Sequence, residues 1–310
     1  MGRATSPKRA SMVVCRRAWR PSRRRSRPAR KGMAMTRRPP VMARRGRWRV
    51  TMTPDPENPS AVALSVEMLR VLTLLDDSRQ GVAALEAAVL LAEQVSAELV
   101  ALYVEDQNLL QCAGFPFSRE IGASSGVVRP LSLERLESSL LHQERRVARA
   151  LERAAAGRAL RHRLQVSRGQ VASEALAEAA PGDVLFLGKA GLSARWGSRL
   201  GSTSRRLVLE APCTVVIWDE RHPPTPGPLR YFRGEAPALP WGETPREAVR
   251  WHPLFVGREE LAIMEAPALE AFLGQARRGA LAMTRERLIL LLEQDAELLA
   301  RIPVPIVVVP

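Results

Sequence analysis

Cysteine is scarce in this chain of 310 residues. Cys15, Cys112 and Cys213 lie far apart and never in a C-x-x-C spacing. Neither a disulfide framework nor a thiolate zinc site is therefore expected, and a reducing cytoplasm is the default compartment. We expect Cys112 to be a small buried apolar residue. Long apolar runs are missing too, because uninterrupted runs such as residues 288–292 fall well short of the ~20 residues of a membrane-spanning helix. No membrane crossing is expected.

Acidic residues are absent from the first 50 positions, which hold 18 arginines and lysines. The other 260 residues hold 29 basic and 32 acidic side chains, so the net charge of +15 belongs to the N-terminal segment. Residues 1–65 are basic, rich in proline and without a hydrophobic period, which predicts a disordered extension. Three interpretations remain open: an arm that binds nucleic acid, an Arg-rich organelle-targeting segment, and a start codon assigned too early, with Met52 or Met68 as the alternative start.

Sequence signatures of strong catalysis are also missing. The chain has no G-x-x-x-x-G-K-[ST] phosphate loop and no H-E-x-x-H motif, and its G-x-S-x-G match, GASSG at residues 122–126, lies in a predicted loop and not at the strand-to-helix turn that a nucleophile elbow needs. Its histidines are dispersed without metal-ligand spacing, which predicts surface residues and no metal site. We therefore expect a binding protein rather than an enzyme, although slow hydrolysis of a bound nucleotide stays open. The four histidines are His142, His162, His222 and His252.

Between residues 66 and 220, apolar runs typical of buried strands alternate with segments of helical period. This alternation predicts an α/β fold with a five-stranded parallel sheet covered by helices on both faces. The stretch around residues 114–126, which contains several glycines, is predicted to be loop. The predicted strands are 66–75, 98–104, 164–166, 183–187 and 213–218, and helices follow at about 82–95, 131–156, 172–180 and 202–209.

Two features are predicted to meet beyond the carboxyl ends of these strands, where open α/β sheets bind ligands. Asp76 directly follows the first strand, and its carboxylate can accept hydrogen bonds from a ribose or a base. After residue 187, Gly188 and Gly191 remove side chains, so that backbone N–H groups can approach an anion. Gly201 and Ser202 then open a helix, whose N-terminus favours phosphate. Each feature also has a structural interpretation, as a turn glycine or a helix cap.

The stretch LGKAGLSARWGSRLGSTSRRLVLEAPCTVVIW resembles the signature of the universal stress protein family, with two and then nine residues between three glycines, followed by Ser or Thr. The resemblance implies a Rossmann-like fold over residues 66–220 and an ATP site, with or without Mg²⁺. It also implies which residues contact the nucleotide. The phosphate-loop positions are matched by Gly188, Gly191, Gly201, Ser202 and Thr203, the acidic position by Asp76, and the adenine-pocket position by Val104.

The last residues of the chain repeat the end of this domain in shortened form. After a Pro-rich linker at residues 221–229, residues 230–310 are predicted to be a truncated α/β repeat, a degenerate universal stress protein-like unit. Arg285 stands where Gly188 stands in the first unit, so this second unit is not expected to hold phosphate. Its final strand is expected to pair with the strand at residues 213–218, as an intramolecular pseudo-dimer; a homodimer is the alternative.

The favoured function is that of a cytoplasmic, ATP-binding stress-response protein that acts as a nucleotide-dependent switch or adaptor on an unidentified protein partner. Two alternatives remain open. One is a nucleotide-free interaction module of the same fold. The other is a nucleic-acid-binding factor that uses the Arg-rich N-terminal arm.

Overall fold

The computed structural model describes residues 12–13, 69–122, 125–189, 200–222, 226–235 and 255–310. All of them belong to one compact unit. Apart from a two-residue strand at Met12–Val13, the predicted N-terminal extension lies outside the described residues, and so does Gly191. No helix among the described residues is long and apolar enough to span a membrane.

The first half of the unit alternates strands and helices as predicted. Strand β2 ends before Ser78, whose hydroxyl accepts a hydrogen bond from Gly81 N at 3.0 Å and so begins helix α1. The segments in order are β1 (Met12–Val13), β2 (Arg70–Leu74), α1 (Arg79–Gln94), β3 (Glu98–Asp106), α2 (Gln107–Ala113), β4 (Arg119–Ile121), β5 (Val128–Pro130), α3 (Leu133–Ala155), β6 (His162–Gly169), α4 (Val171–Glu178), β7 (Val184–Gly188), α5 (Ser202–Glu210) and β8 (Thr214–Trp218).

The second half contributes four more strands to the same sheet. Strand β9 begins at Gly227, inside the predicted linker, and neither β9 nor β10 was predicted from the sequence. The segments are β9 (Gly227–Phe232), β10 (Phe255–Leu261), α6 (Ala266–Leu273), β11 (Ala280–Thr284), α7 (Arg285–Gln294), α8 (Leu298–Arg301) and β12 (Ile306–Val309).

The central sheet has nine strands in the order β10-β9-β11-β12-β8-β7-β2-β3-β6. Five strands of the first half, β2, β3, β6, β7 and β8, belong to this sheet and run parallel to one another, which confirms the predicted α/β fold. Strand β12 pairs antiparallel with β8, with Ile306 opposite Ile217, so the final strand covers the β8 edge as expected. Within the second half the order β10-β9-β11-β12 and its parallel pairings repeat the order β3-β2-β7-β8 of the first half.

Helices cover both faces of the sheet. One core packs α1 and α3 against the sheet through residues such as Leu85 and Leu151. The other core contains Leu207 of α5 together with Leu269 of α6 and Leu291 of α7, so helices from both halves share that face. The two halves are therefore joined by a continuous sheet and by shared apolar packing.

Two local predictions are wrong. Helix α2, capped by the Asp106 side chain that accepts from Asn108 N at 2.9 Å, precedes the stretch predicted as loop and was not predicted, and that stretch itself forms most of the hairpin β4–β5, to which β1 adds a third strand. Cys112 in α2 is half-buried and disulfide-bonded rather than a buried free thiol, whereas Cys213 is free and buried.

Candidate functional site

A cavity of about 420 Å³ lies at the carboxyl ends of β2, β3 and β7. This is where parallel strands of an open α/β sheet present their ligand sites. Six of the seven residues predicted to bind nucleotide line it, and the seventh, Gly191, lies outside the described residues. The six are Asp76, Val104, Gly188, Gly201, Ser202 and Thr203.

Asp76 places a carboxylate on the wall of this cavity. Its Oδ1 accepts hydrogen bonds from the backbone N–H of Ser78, at 3.2 Å, and from the Ser78 hydroxyl. No hydrogen bond joins Oδ2 to another of the described residues, so this oxygen is available to a ligand hydroxyl. Burial raises the pKa of Asp76 above its usual value, against the lowering effect of the Ser78 hydrogen bonds.

The two described glycines of the signature differ in what requires them. A Cβ on Gly188 would lie 2.8 Å from the backbone carbon of Gln80 and 2.9 Å from its Cβ, so the packing of β7 against α1 excludes any side chain there. Among the described residues, no atom lies within 4 Å of the place that a Cβ on Gly201 would take. Protein packing therefore explains Gly188, whereas at Gly201 the missing side chain only leaves open space in the cavity wall.

The N-terminus of α5 faces the same cavity. Gly201 is the N-cap residue, and because it has no side chain no cap hydrogen bond is made. The first N–H groups of a helix have no intrahelical partner, and they carry the positive end of the helix dipole. Ser202, Thr203 and Ser204 line the cavity at this end and add hydroxyl groups. Uncapped N–H groups beside open space form an anion-binding geometry.

The opposite side of the cavity is apolar, with one phenol. Tyr103 precedes Val104 on β3, and its hydroxyl lies 3.3 Å from Leu140 O and 3.4 Å from Gln143 Oε1, both on α3. Burial raises the pKa of Tyr103 to about 12, so it remains protonated. Sequence reasoning missed Tyr103 and also Leu109 of α2. The Asp106 cap could have indicated α2, but which residues of α3 reach the cavity depends on tertiary packing.

Lys189 directly follows Gly188 but does not line the cavity. Its side chain is buried, its Nζ donates to the backbone carbonyl of Ile302, and the same nitrogen lies 3.4 Å from Asp219 Oδ2. Burial lowers the pKa of Lys189 to about 8, although Asp219 acts in the opposite direction. Burial also acts to raise the pKa of Asp219, but its hydrogen bonds with Arg221 outweigh this and lower it.

The corresponding place in the second half is filled by protein groups. Arg285, which follows β11, donates from Nε to Val208 O at 3.3 Å and from a terminal nitrogen to Ala211 O at 2.5 Å. Arg287 forms an ion pair with Glu235, which follows β9. Arginine side chains therefore make their contacts near the carboxyl ends of β9 and β11.

Among the described residues, no cluster of three or more His, Cys, Asp or Glu side chains could hold a metal ion. His222 is an exception to the predicted surface histidines, because it is buried with its ring 6.0 Å from that of Trp218. Burial lowers the pKa of His222.

The fold and the cavity together define an open α/β domain with a ligand site at its strand ends. Residues 68–218 match the model of the universal stress protein family, so this part of the chain is a universal stress protein domain. No curated protein matches the chain.

Solved structures similar to the chain include two universal stress proteins and one protein of unknown function. A universal stress protein, UspA, from Lactobacillus plantarum is 23% identical over 48% of this chain and 96% of its own, with a TM-score of 0.36. A universal stress protein from Archaeoglobus fulgidus DSM 4304 is 13% identical over 77% of this chain and 97% of its own, with a TM-score of 0.45. A functionally unknown protein from Pseudomonas aeruginosa PAO1 is 12% identical over 78% and 92%, with a TM-score of 0.46.

Proposed function

We propose that the cavity binds ATP or a related adenine nucleotide, and that the protein is a nucleotide-dependent switch or adaptor in the stress response. The observation that supports this best is the open space at Gly201. No atom of the described residues requires a glycine at position 201, and its missing side chain leaves the N-terminus of α5 without a cap at the cavity. A phosphate group fits this space, because it supplies the acceptors that the N–H groups lack.

The other walls suit the rest of a nucleotide. Asp76 Oδ2 would accept hydrogen bonds from ribose hydroxyls, while Oδ1 stays bound to Ser78. Val104 and Leu109 provide apolar surface for a base, next to the protonated Tyr103 hydroxyl. Lys189 is not among the phosphate ligands in this proposal, because Asp219 and Ile302 hold its ammonium group. In this proposal the phosphate groups are bound by backbone N–H groups and by any Mg²⁺ that accompanies the nucleotide.

We further propose that residues 226–310 are a degenerate second unit of the same family, forming an intramolecular pseudo-dimer with the first. The repeated strand order and the antiparallel β12–β8 pairing support this proposal. In such a pseudo-dimer only the first half would bind nucleotide, since arginine side chains fill the corresponding place in the second half.

Nucleotide occupancy tests the proposed function directly. The full chain is purified without added nucleotide and denatured, and the released small molecules are identified by mass spectrometry, followed by calorimetric titration with ATP, ADP and AMP. We expect close to one adenine nucleotide per chain, or saturable binding of added ATP. A chain that carries none and binds none would be the nucleotide-free interaction module, and the search would turn to protein partners.

A further inference from the structure

We propose that the C-terminal half, residues 226–310, stabilises the phosphate end of the cavity, which is the end formed by β7 and the N-terminus of α5. Lys189 and Arg285 are the positioning residues for nucleotide binding. This inference rests on the proposed function, because it concerns the affinity of that same site. Neither residue lines the cavity. Each connects an element at the cavity to the other half of the molecule.

Lys189 holds the end of β7. Its backbone N–H donates to Trp218 O at 2.8 Å, which continues the β7–β8 pairing by one residue beyond Gly188. Its side chain passes Asp219 and donates to Ile302 O, the carbonyl that follows α8 in the C-terminal half. A buried ammonium group bound in this way fixes the position of the residue next to the cavity glycine.

The choice of lysine at this position supports a specific role. The chain has three lysines, and Lys189 is the only one after residue 31, whereas arginine supplies every other basic side chain of the described residues apart from histidine. A lysine ammonium is compact and can be shared between a carbonyl and a carboxylate in a small buried space, where a planar guanidinium would not fit in the same way.

Arg285 holds the C-terminus of α5, the helix whose N-terminus faces the cavity. Its guanidinium donates to Val208 O and Ala211 O, the last carbonyls of α5, and its positive charge is favourable at the negative end of that helix. Helix α5 has nine residues and so is about 14 Å long. Because a short helix moves as a rigid rod, a contact that fixes its C-terminus also fixes the N–H groups of Ser202 and Thr203 at the cavity.

The two contacts thus hold both structural elements that flank the phosphate end, β7 and α5. A ligand bound to both elements would stabilise the contacts, and the contacts would raise the affinity of the ligand by the same factor. The C-terminal half would then act on the nucleotide without touching it.

The experiment compares the full-length chain with Arg285→Gln and the matched control Arg287→Gln. Both variants lose an arginine from the same end of α7, but Arg287 contacts Glu235 and the Phe232 ring, within the C-terminal half. We expect Arg285→Gln to weaken ATP binding about five-fold or more, and Arg287→Gln to remain within about two-fold of the wild type. Amide hydrogen exchange without nucleotide should be faster in α5 for Arg285→Gln only.

Lys189 is tested by the pair Lys189→Met and Lys189→Arg, with folding verified by circular dichroism. We expect both to weaken ATP binding, and this pair decides the question if Arg285→Gln does not fold. After amine-reactive labelling and proteolytic cleavage at arginine, the extent of labelling at Lys189 is measured on a peptide that contains neither Lys8 nor Lys31. Bound ATP should slow the labelling of Lys189.

The outcomes separate the two proposals. One outcome is that the wild type binds ATP while all three variants at Lys189 and Arg285 bind it as tightly, with unchanged amide hydrogen exchange in α5. This result would refute the role of the C-terminal half and leave the proposed nucleotide site intact. If the wild type binds no adenine nucleotide, both proposals are overturned. Equal weakening by Arg287→Gln would also overturn the inference, because the effect would then be one of general stability.

Discussion

The Nζ atom of Lys189 lies 3.4 Å from Oδ2 of Asp219, and both side chains are almost completely buried. Asp219 also accepts two hydrogen bonds from the Arg221 guanidinium, at 2.8 and 3.0 Å, so its carboxylate keeps a partner when Lys189 is neutral. Two further groups face this pair. The positive charge of Arg221 acts to lower the pKa of Lys189, and the charge of Lys189 in turn acts to lower the pKa of the buried His222. The ion pair at the end of β7 and β8 is therefore sensitive to the protonation of the lysine.

This sensitivity predicts a stability that rises with pH. Burial lowers the pKa of Lys189 to about 8, whereas in the unfolded chain it has its ordinary value of 10.5. Between these values the unfolded state binds more protons, so the free energy of unfolding increases with pH. Relative to Lys189→Met, the wild type should gain about 2 kcal/mol between pH 7.5 and 9.5, as measured by urea unfolding. An identical pH dependence in the two proteins would contradict the lowered pKa.

Gly201→Asp should abolish nucleotide binding without destabilising the domain. An aspartate at this N-cap position would accept hydrogen bonds from the first N–H groups of α5, adding about 0.3 kcal/mol of stability, and would repel phosphate. Gly201→Asn, which caps the helix without charge, is the control. Calorimetric titration with ATP should show loss of binding for Asp and a smaller loss for Asn. Equal affinity in Gly201→Asp and wild type would place the phosphate elsewhere.

Gly188→Ala should act on folding instead. The added Cβ would lie 2.8 Å from the Gln80 backbone, which can only be relieved by separating β7 from α1. We expect a loss of about 2 kcal/mol in the free energy of unfolding. Gly201→Ala, where no atom of the described residues lies within 4 Å, is the control and should lose less. Comparable losses would mean that the β7–α1 contact adapts without cost.

Asp76→Asn tests the ribose contact. The amide oxygen can still accept from Ser78, but the charge at the ligand-facing oxygen is lost, which should weaken ATP binding about ten-fold. Because burial raises the pKa of Asp76, removing the charge should not lower stability at pH 7. The control is Asp77→Asn, which removes an exposed carboxylate paired with Arg146 and outside the cavity. Similar affinities for the two variants would argue against a role of Asp76 in binding.

Val308→Asp should unfold both halves together. Val308 is fully buried on β12, which lies between β11 and β8 in the continuous sheet. A carboxylate there has no partner and should cost about 4 kcal/mol or more. Val256→Asp, on the exposed face of the edge strand β10, should cost less than about 0.5 kcal/mol. If Val308→Asp left a folded first half, detected as a protected fragment in limited proteolysis, the halves would be independent.

Much of the first half could be predicted from the sequence. The apolar runs and the helical period after Ser78 indicate the strands and helices, because burial on both sheet faces requires that pattern. The spaced glycines and Asp76 indicate the cavity, since parallel strands bring their carboxyl ends to one edge.

Strand β9 was missed because arginine and tyrosine at positions 230 and 231 interrupt its apolar pattern, and these side chains are accommodated only by neighbouring strands.

The sequence by itself determined the α/β alternation and the position of the cavity, because these depend on local periodicity and on residue type. Only the tertiary structure decided what Gly188, Lys189 and Arg285 contact. A glycine required by packing and one that leaves open space are the same letter in a sequence. They differ only in which atoms, from segments far away in the chain, lie within a few ångströms.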